Sequence, residues 1–230
     1  MIQKHFNHNL IALPKLDRID GESGRLYRLP DGSKVPSVTT VLGWAKKDSL
    51  LEWRKKVGED AANKIANSAA NRGTKVHAVC EDYLHNKEII AKDLDILTYD
   101  MFNSIKHEVD EIDNVLGIEL QLFSEHLGLA GTVDCIADYK GKRSIIDFKT
   151  STKPKRLEWI DNYFMQTAIY AVMYEERTGT PVNNLVVIIA IEGGVSQVFV
   201  QKRDQWIGKA IDVINSYYDY HGLTRGRVQA

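Results

Sequence analysis

Cysteine is almost missing from the 230 residues: Cys80 and Cys135 are the whole complement. Two thiols cannot build a disulfide framework, and they exclude a four-cysteine zinc or iron–sulfur site within one chain. Long apolar runs are missing too. The longest purely aliphatic stretch, Leu185–Ile191, has the length of a strand and falls far short of a bilayer's thickness. Neither charge sign is in excess, since 30 Lys and Arg face 31 Asp and Glu for a formal net charge of −1. That balance argues against a protein that coats nucleic acid by charge alone, while leaving room for local basic clusters around a metal. The opening MIQKHFNHNL lacks the apolar core of a signal peptide. Asp17 and Asp20 follow and serine is scarce, which speaks against a mitochondrial transit peptide. A soluble protein of a reducing compartment, without a membrane partner, is the expectation. Internal repeats and low-complexity linkers are absent.

With 43% hydrophobic residues, the chain can build one compact domain with a substantial core. After a mixed polar stretch, with turns at Asp20-Gly21 and Ser23-Gly24, Arg25–Leu29 alternates as a strand and Pro30-Asp31-Gly32 closes it. Pro36-Ser37 opens a short helix, Val38–Trp44, and a second helix starts near Ser49. Further helices are expected over Asp60–Ala70, from Gly73-Thr74 to His85, and over Leu97–Leu116. Ile118–Phe123 reads as a strand, Asp161–Arg177 as a helix stopped at Gly179-Thr180-Pro181, and Leu185–Ile191 and Val195–Gln201 as strands joined at Gly193-Gly194. A last helix runs from Arg203 to Tyr220, and the tail TRGRVQA is expected to be unstructured. The order predicts an α/β fold: a central mixed β-sheet flanked by helices, preceded by an N-terminal helical segment.

The stretch Gly131–Thr150, GTVDCIADYKGKRSIIDFKT, carries the chemistry. A two-residue hairpin loop at Lys140-Gly141 pairs Tyr139 with Lys142, Asp138 with Arg143, Ile136 with Ile145, Cys135 with Ile146 and Val133 with Phe148. The same register sets Asp134 opposite Asp147, with Lys149 on that face. Opposed carboxylates repel, and a bound cation or a proton on one of them relieves the repulsion. Two carboxylates that leave room for waters and substrate phosphates are a usual seat for Mg²⁺. A three-residue loop would shift the register and part the two acids. Elsewhere, Trp44 stands beside Lys46-Lys47 and Trp53 within Arg54-Lys55-Lys56. Aromatic and basic residues interleaved in this way suit single-stranded nucleic acid, while the plainer reading is a core tryptophan with solvated lysines. His77 lies four residues before Glu81 on one helix face, where a packed or exposed bystander is the commoner role.

Taken in order, Arg72-Gly73-Thr74-x-x-His77, Gly131-Thr132-Val133-Asp134, Asp147-Phe148-Lys149 and Gln166-x-x-x-Tyr170 resemble the PD-(D/E)XK nuclease superfamily. The likeness is to its RecB-type branch, and within it to the mitochondrial genome maintenance exonucleases and their phage relatives. It spans about Pro36 to Tyr220, including Pro-Ser-Val-Thr and the Lys-Thr-Ser-x-Lys-Pro-Lys run from Lys149 to Lys155. The resemblance implies a restriction-endonuclease-like core over 71–220 within a single domain of 1–230. Residues 1–70 would be a strand and helical segment forming a DNA-threading arch, and 221–230 a tail. It implies metal ligation by His77, Asp134, Asp147 and the Phe148 carbonyl, with Glu119 a candidate further ligand, for Mg²⁺ or Mn²⁺. Lys149 would position or deprotonate the attacking water, and Gln166 and Tyr170 would steady the site and contact the strand. Arg72, Thr74, Thr150, Ser151 and Lys153, with Trp44 and Trp53, complete the substrate-binding set. The implied function is a metal-dependent DNA exonuclease working from single-stranded or frayed ends in recombination, repair or replication. A structure-specific endonuclease and a non-catalytic DNA-binding module are the alternatives. Single-stranded DNA is the implied partner, together with a recombination or single-strand-binding protein, and the cytoplasm of a bacterium or phage-infected host the implied location. The iron–sulfur members of the branch need a cysteine quartet, so that subgroup is excluded.

Overall fold

A computed structural model describes residues 4–21 and 24–225. Three short strands come first, β1 (Asp17–Gly21), β2 (Gly24–Arg28) and β3 (Lys34–Pro36), paired antiparallel in that order. Ser37 then caps α1 (Val38–Trp44), its hydroxyl accepting the Thr40 N–H at 2.9 Å and satisfying a donor that the helix start leaves open. α2 (Lys47–Val57) buries none of its residues, and α3 (Glu59–Leu84) runs unbroken for 26 residues. α4 (Ile96–Val109) follows. The main sheet is built from β4 (Ile112–Ser124), β5 (Leu129–Tyr139), β6 (Lys142–Ser151), β7 (Asn184–Ile191) and β8 (Gln197–Lys202). α5 (Asp161–Thr178) carries the chain from β6 to β7, and α6 (Ile207–Tyr220) comes last.

The five strands lie in sequence order, with β6 and β7 parallel across the α5 connection and the other neighbours antiparallel. This is the mixed α/β sheet that the order of elements predicts. β7 shows why helices cover both faces. All eight of its residues are buried, and alternate side chains enter different cores. Leu185, Val187 and Ile189 pack with Phe164 and Ile169 of α5 and Ile214 of α6. Val186, Ile188 and Ala190 pack with Val76 and Cys80 of α3 and Ile105 of α4. A strand this apolar is stable only between two helical layers. Among the described residues no helix is long and apolar enough to cross a membrane.

Several expectations change. The helix expected over Leu97–Leu116 ends at Val109, and Ile112 already pairs with Tyr139 in β4. Ile112, Val115 and Leu116 continue the helical spacing, but a register shift between Asp113 and Gly117, with Asn114 at φ +48°, bends them into the sheet. The two helices expected over 60–85 are the single α3, since one interior glycine costs only about 1 kcal/mol against alanine. β1 has no apolar alternation to announce it, because four of its five residues are exposed. The Ser23-Gly24 turn and the end of the expected tail, 226–230, fall partly or wholly outside the described residues. Ahead of β1, the chain lies along the outer edge of β4. Val115 N–H donates to the Asn7 carbonyl, Asn9 N–H to Val115 and Ile11 N–H to Leu116, at 2.8, 2.8 and 2.9 Å. Phe6 anchors this strap edge-on against Tyr83, ring centroids 5.2 Å apart.

Candidate active site

The β5–β6 hairpin turns at Lys140 (φ +50°) and Gly141 (φ +75°), the pair of positive φ angles that a type I′ turn needs. Tyr139↔Lys142, Asp138↔Arg143, Ile136↔Ile145 and Cys135↔Ile146 pair as expected. The ladder stops there, one pair short of Asp134 and Asp147. Instead of facing the second carboxylate squarely, Asp134 Oδ2 accepts the Phe148 N–H at 2.8 Å. One of the two acids thus turns onto a main-chain donor, while its charge still raises the pKa of the other. Asp147 is buried, and its Oδ1 accepts from Lys149 Nζ at 2.6 Å. Its Oδ2, also buried, has no hydrogen-bond partner among the described residues. A carboxylate oxygen left that way is costly unless a cation meets it.

α3 and β4 bring the remaining ligand candidates. Val76, Val79 and Cys80 sink one stripe of α3 into the core, which leaves His77 on its border. The His77 Nδ1 stands 3.5 Å from Asp134 Oδ2, and its ring meets Phe148 edge-on at 6.4 Å. Glu119 has φ +46° inside a strand whose neighbours Ile118 and Leu120 keep their pairing to Cys135 and Val133. Such a backbone costs about 1–3 kcal/mol and persists only where the surroundings enforce it. It delivers the Glu119 carboxyl to His77 and Asp134, so that one donor atom from each lies within 4.8 Å of the others. Though the residue as a whole is exposed, its carboxyl end is turned into the cleft. Desolvation there, then the charges of Asp134 and Glu81, raise its pKa to about 7. Burial likewise raises Asp147, against the pull of Lys149. For Lys149, burial favours the neutral amine, yet the Asp147 and Asp134 charges outweigh it and raise the pKa.

The cluster opens into a cleft of about 480 Å³, lined among others by His77, Glu119, Asp134, Lys149, Gln166 and Tyr170. Tyr170 is buried there because Gly131 makes room for it: a Cβ at Gly131 would come within 2.8 Å of the Tyr170 hydroxyl. Thr74 lines a second cavity, also about 480 Å³, which shares His77 and Glu119 with the first. The other expected substrate-binding residues line neither. Ser151 is buried, its hydroxyl donating to the Lys153 carbonyl, and Lys153 is exposed. Arg72 is mostly buried, 3.9 Å from Glu192, and Thr150 flanks Gly73 of α3. Trp44 packs against Tyr217 and Tyr220 at 5.6 and 5.3 Å, holding α6 to α1, and Trp53 is half-buried on α2. The cleft also takes residues that the motifs leave out, including Arg25, Tyr27, Lys46, Asn162 and Tyr163. Lys46 donates to Asn162 Oδ1 at 2.8 Å, and the Lys149 ammonium lies 5.3 Å from the Tyr163 ring centroid. The signal for Tyr163 was present, since it precedes Gln166 and Tyr170 by three and seven residues on one helix face.

Residues 49–219 match the profile of the PD-(D/E)XK nuclease superfamily. The chain belongs to that superfamily. Asp134 on β5 and Asp147-Phe148-Lys149 on β6 lie within the matched stretch. The chain is 32% identical over 130 residues to mitochondrial genome maintenance exonuclease 1 of Homo sapiens, covering 53% of this chain and 38% of that protein. It is 26% identical over 205 residues to the Xenopus tropicalis protein of the same name, covering 82% and 58%. The matched stretches thus span less than two thirds of those relatives' length, 38% and 58%. A crystal structure of a candidate exonuclease from Eubacterium rectale superposes with a TM-score of 0.48 at 14% identity, covering 66% of this chain and 65% of that one.

Proposed function

We propose that this PD-(D/E)XK chain is a metal-dependent DNA exonuclease, hydrolysing phosphodiester bonds from single-stranded or frayed ends in recombination, repair or replication. The observation that carries the reading is the convergence of His77, Glu119 and Asp134 beside the unpartnered Asp147 Oδ2. Hard carboxylate oxygens with one imidazole fit Mg²⁺ or Mn²⁺. His77, Asp134 and Asp147 would hold the ion with the Phe148 carbonyl. A strand residue turns its N–H and C=O to the same flank, and the Phe148 N–H already points at Asp134. Glu119 is assigned to the same ion or to a second one. When bound, a divalent ion lowers the pKa of water and offsets charge on the phosphoryl oxygens.

The chain's own side chains supply the rest. Lys149 keeps its proton beside Asp147 and Asp134, so its part is to orient the attacking water and to balance charge growing on the phosphoryl group. A general base would need the opposite shift. Tyr170, fixed by Gly131, and Gln166 on the next turn of α5 guide the strand past Lys149. α2 and the start of α3, which bury Ala62 alone, are assigned to an arch carrying Trp53, Arg54, Lys55 and Lys56 over the strand. Digestion of DNA labelled at either end, single- and double-stranded, with Mg²⁺, Mn²⁺ or EDTA tests the reading. Metal-dependent release from an end is expected. Cleavage of closed circular single strands would make the protein an endonuclease, and binding without cleavage a non-catalytic module.

A further inference from the structure

The β1–β2 hairpin carries a charged face that none of the motifs includes. Its register pairs Arg18 with Tyr27 and Asp20 with Arg25, which puts all four side chains on one face. That face looks onto the metal-ligand cluster. Tyr27 lines the main cleft, its hydroxyl 3.4 Å from that of Thr132, two residues before Asp134. Arg25 lines the same cleft, whereas Arg18 lines the second cavity, and the two cavities meet at His77 and Glu119. The hairpin therefore lends one arginine to each of the two cavities that meet at the cluster. Asp20 stands between them, its carboxylate 2.9 Å from Arg18 Nε and 3.3 Å from Arg25 Nε, and the two arginines, Arg18 first, hold its pKa below the usual carboxylate range. The second cavity also holds Glu81, which would repel a phosphate, and Arg18 is the one arginine or lysine among the described residues lining it.

The hairpin is held firmly enough to act as a fixed rim. The Arg25 carbonyl accepts the Ser37 N–H at 2.8 Å and the Thr40 hydroxyl at 3.1 Å, and its N–H donates to the Thr40 hydroxyl at 3.0 Å. Gly24, at φ +114°, has no room for a Cβ, which would lie 2.6 Å from Thr40 Cγ2. Resting on the nuclease reading, we propose that Arg25 and Arg18 grip backbone phosphates on the two sides of the bond to be cut. The strand then runs from the cleft across His77 and Glu119 into the second cavity. Asp20 is a place-holder that phosphates displace. A guanidinium pairs with phosphate as readily as with a carboxylate, and Asp20 is exposed, so the exchange costs little.

Binding of a fluorescein-labelled single-stranded oligonucleotide in EDTA, followed by anisotropy over a salt series, counts the phosphates neutralised. Each phosphate that is no longer neutralised makes the slope of log K against log salt shallower by about 0.7. Arg25→Gln and Arg18→Gln are each expected to weaken binding across all sequences and to flatten the slope by about 0.7, the double variant by about 1.4. Asp20→Asn is expected to bind more tightly, because both guanidiniums are then free. With Mg²⁺ the arginine variants should raise KM more than they lower kcat. Arginine variants that keep wild-type affinity and slope overturn the clamp. A wild type that binds but never cleaves with Mg²⁺ or Mn²⁺ refutes the nuclease reading alone, and the slopes still judge the clamp. A wild type that does not bind in EDTA overturns the clamp, and the nuclease reading falls with it only if cleavage with Mg²⁺ or Mn²⁺ is also absent.

Discussion

At the residue scale the site turns on two acids, Glu119 and Asp147, whose pKa values desolvation raises. Replacing Asp147 with Asn removes the orphaned oxygen without changing the side chain's shape. Metal-dependent cleavage should fall at least ~100-fold, since even losses around a metal ligand cost about 10–100-fold, while far-UV circular dichroism stays unchanged. A purified Asp147→Asn protein that still degrades DNA would overturn the metal site. Glu119 gives a pH test. Its folded pKa of about 7 lies above the ordinary glutamate value, so the folded metal-free protein keeps a proton that the unfolded chain has already released. Its contribution to stability is full below about pH 4 and is lost as the pH rises through about 7. In EDTA, the Tm of the wild type should therefore drop relative to Glu119→Gln between about pH 5 and pH 8. Metal must displace that proton, so affinity for Mg²⁺ should climb over the same window. A Tm difference flat across this range would mean an ordinary glutamate. The sequence exposed Asp134, Asp147 and Lys149 through their spacing, because strand alternation is written in the chain. It gave Glu119 only a minor place, because a positive φ at a glutamate leaves no mark on composition. Arg25 and Lys46 reach the cleft only through tertiary placement.

At the element scale the hairpin was the most legible part. Lys140-Gly141 fixes a primed turn, and the turn fixes the pairs down to Cys135↔Ile146. What no pattern could show is that the ladder opens beyond that pair, since a competition between carboxylate repulsion and a free N–H decides it. The boundary between α4 and β4 failed for a different reason. Ile112, Val115 and Leu116 satisfy a helical stripe, and only pairing with β5 overrules it. The packing of β5 on α5 can be tested directly. Gly131→Ala would drive a methyl group into Tyr170, costing about 1–3 kcal/mol of stability in urea denaturation. Adding Tyr170→Leu should recover part of that loss, and the double-mutant cycle should show a coupling of about 0.5 kcal/mol or more. Strictly additive effects would mean that the two residues do not press on each other.

At the scale of the whole molecule, the proposed ion site ties binding to folding. Mg²⁺ or Mn²⁺ at about 100 times its dissociation constant should stabilise the protein by about 2.7 kcal/mol. For a chain of this size that is a rise in Tm of about 5–11 °C. Asp147→Asn should lose most of the rise, and an equal rise in both proteins would place the ion elsewhere. The α/β architecture was readable because Leu185–Ile191 of β7 is apolar throughout and so demands two helical layers. The N-terminal strap was not, since its main-chain bonds to Val115 and Leu116 leave no signature in side-chain pattern. Its position has a consequence for assembly. Trimming the chain through Ile11 would strip the outer border of β4, leaving amide and carbonyl groups there with only water to meet them. Two shortened molecules could then zip border to border, so sedimentation should show concentration-dependent association beyond that of the 230-residue chain.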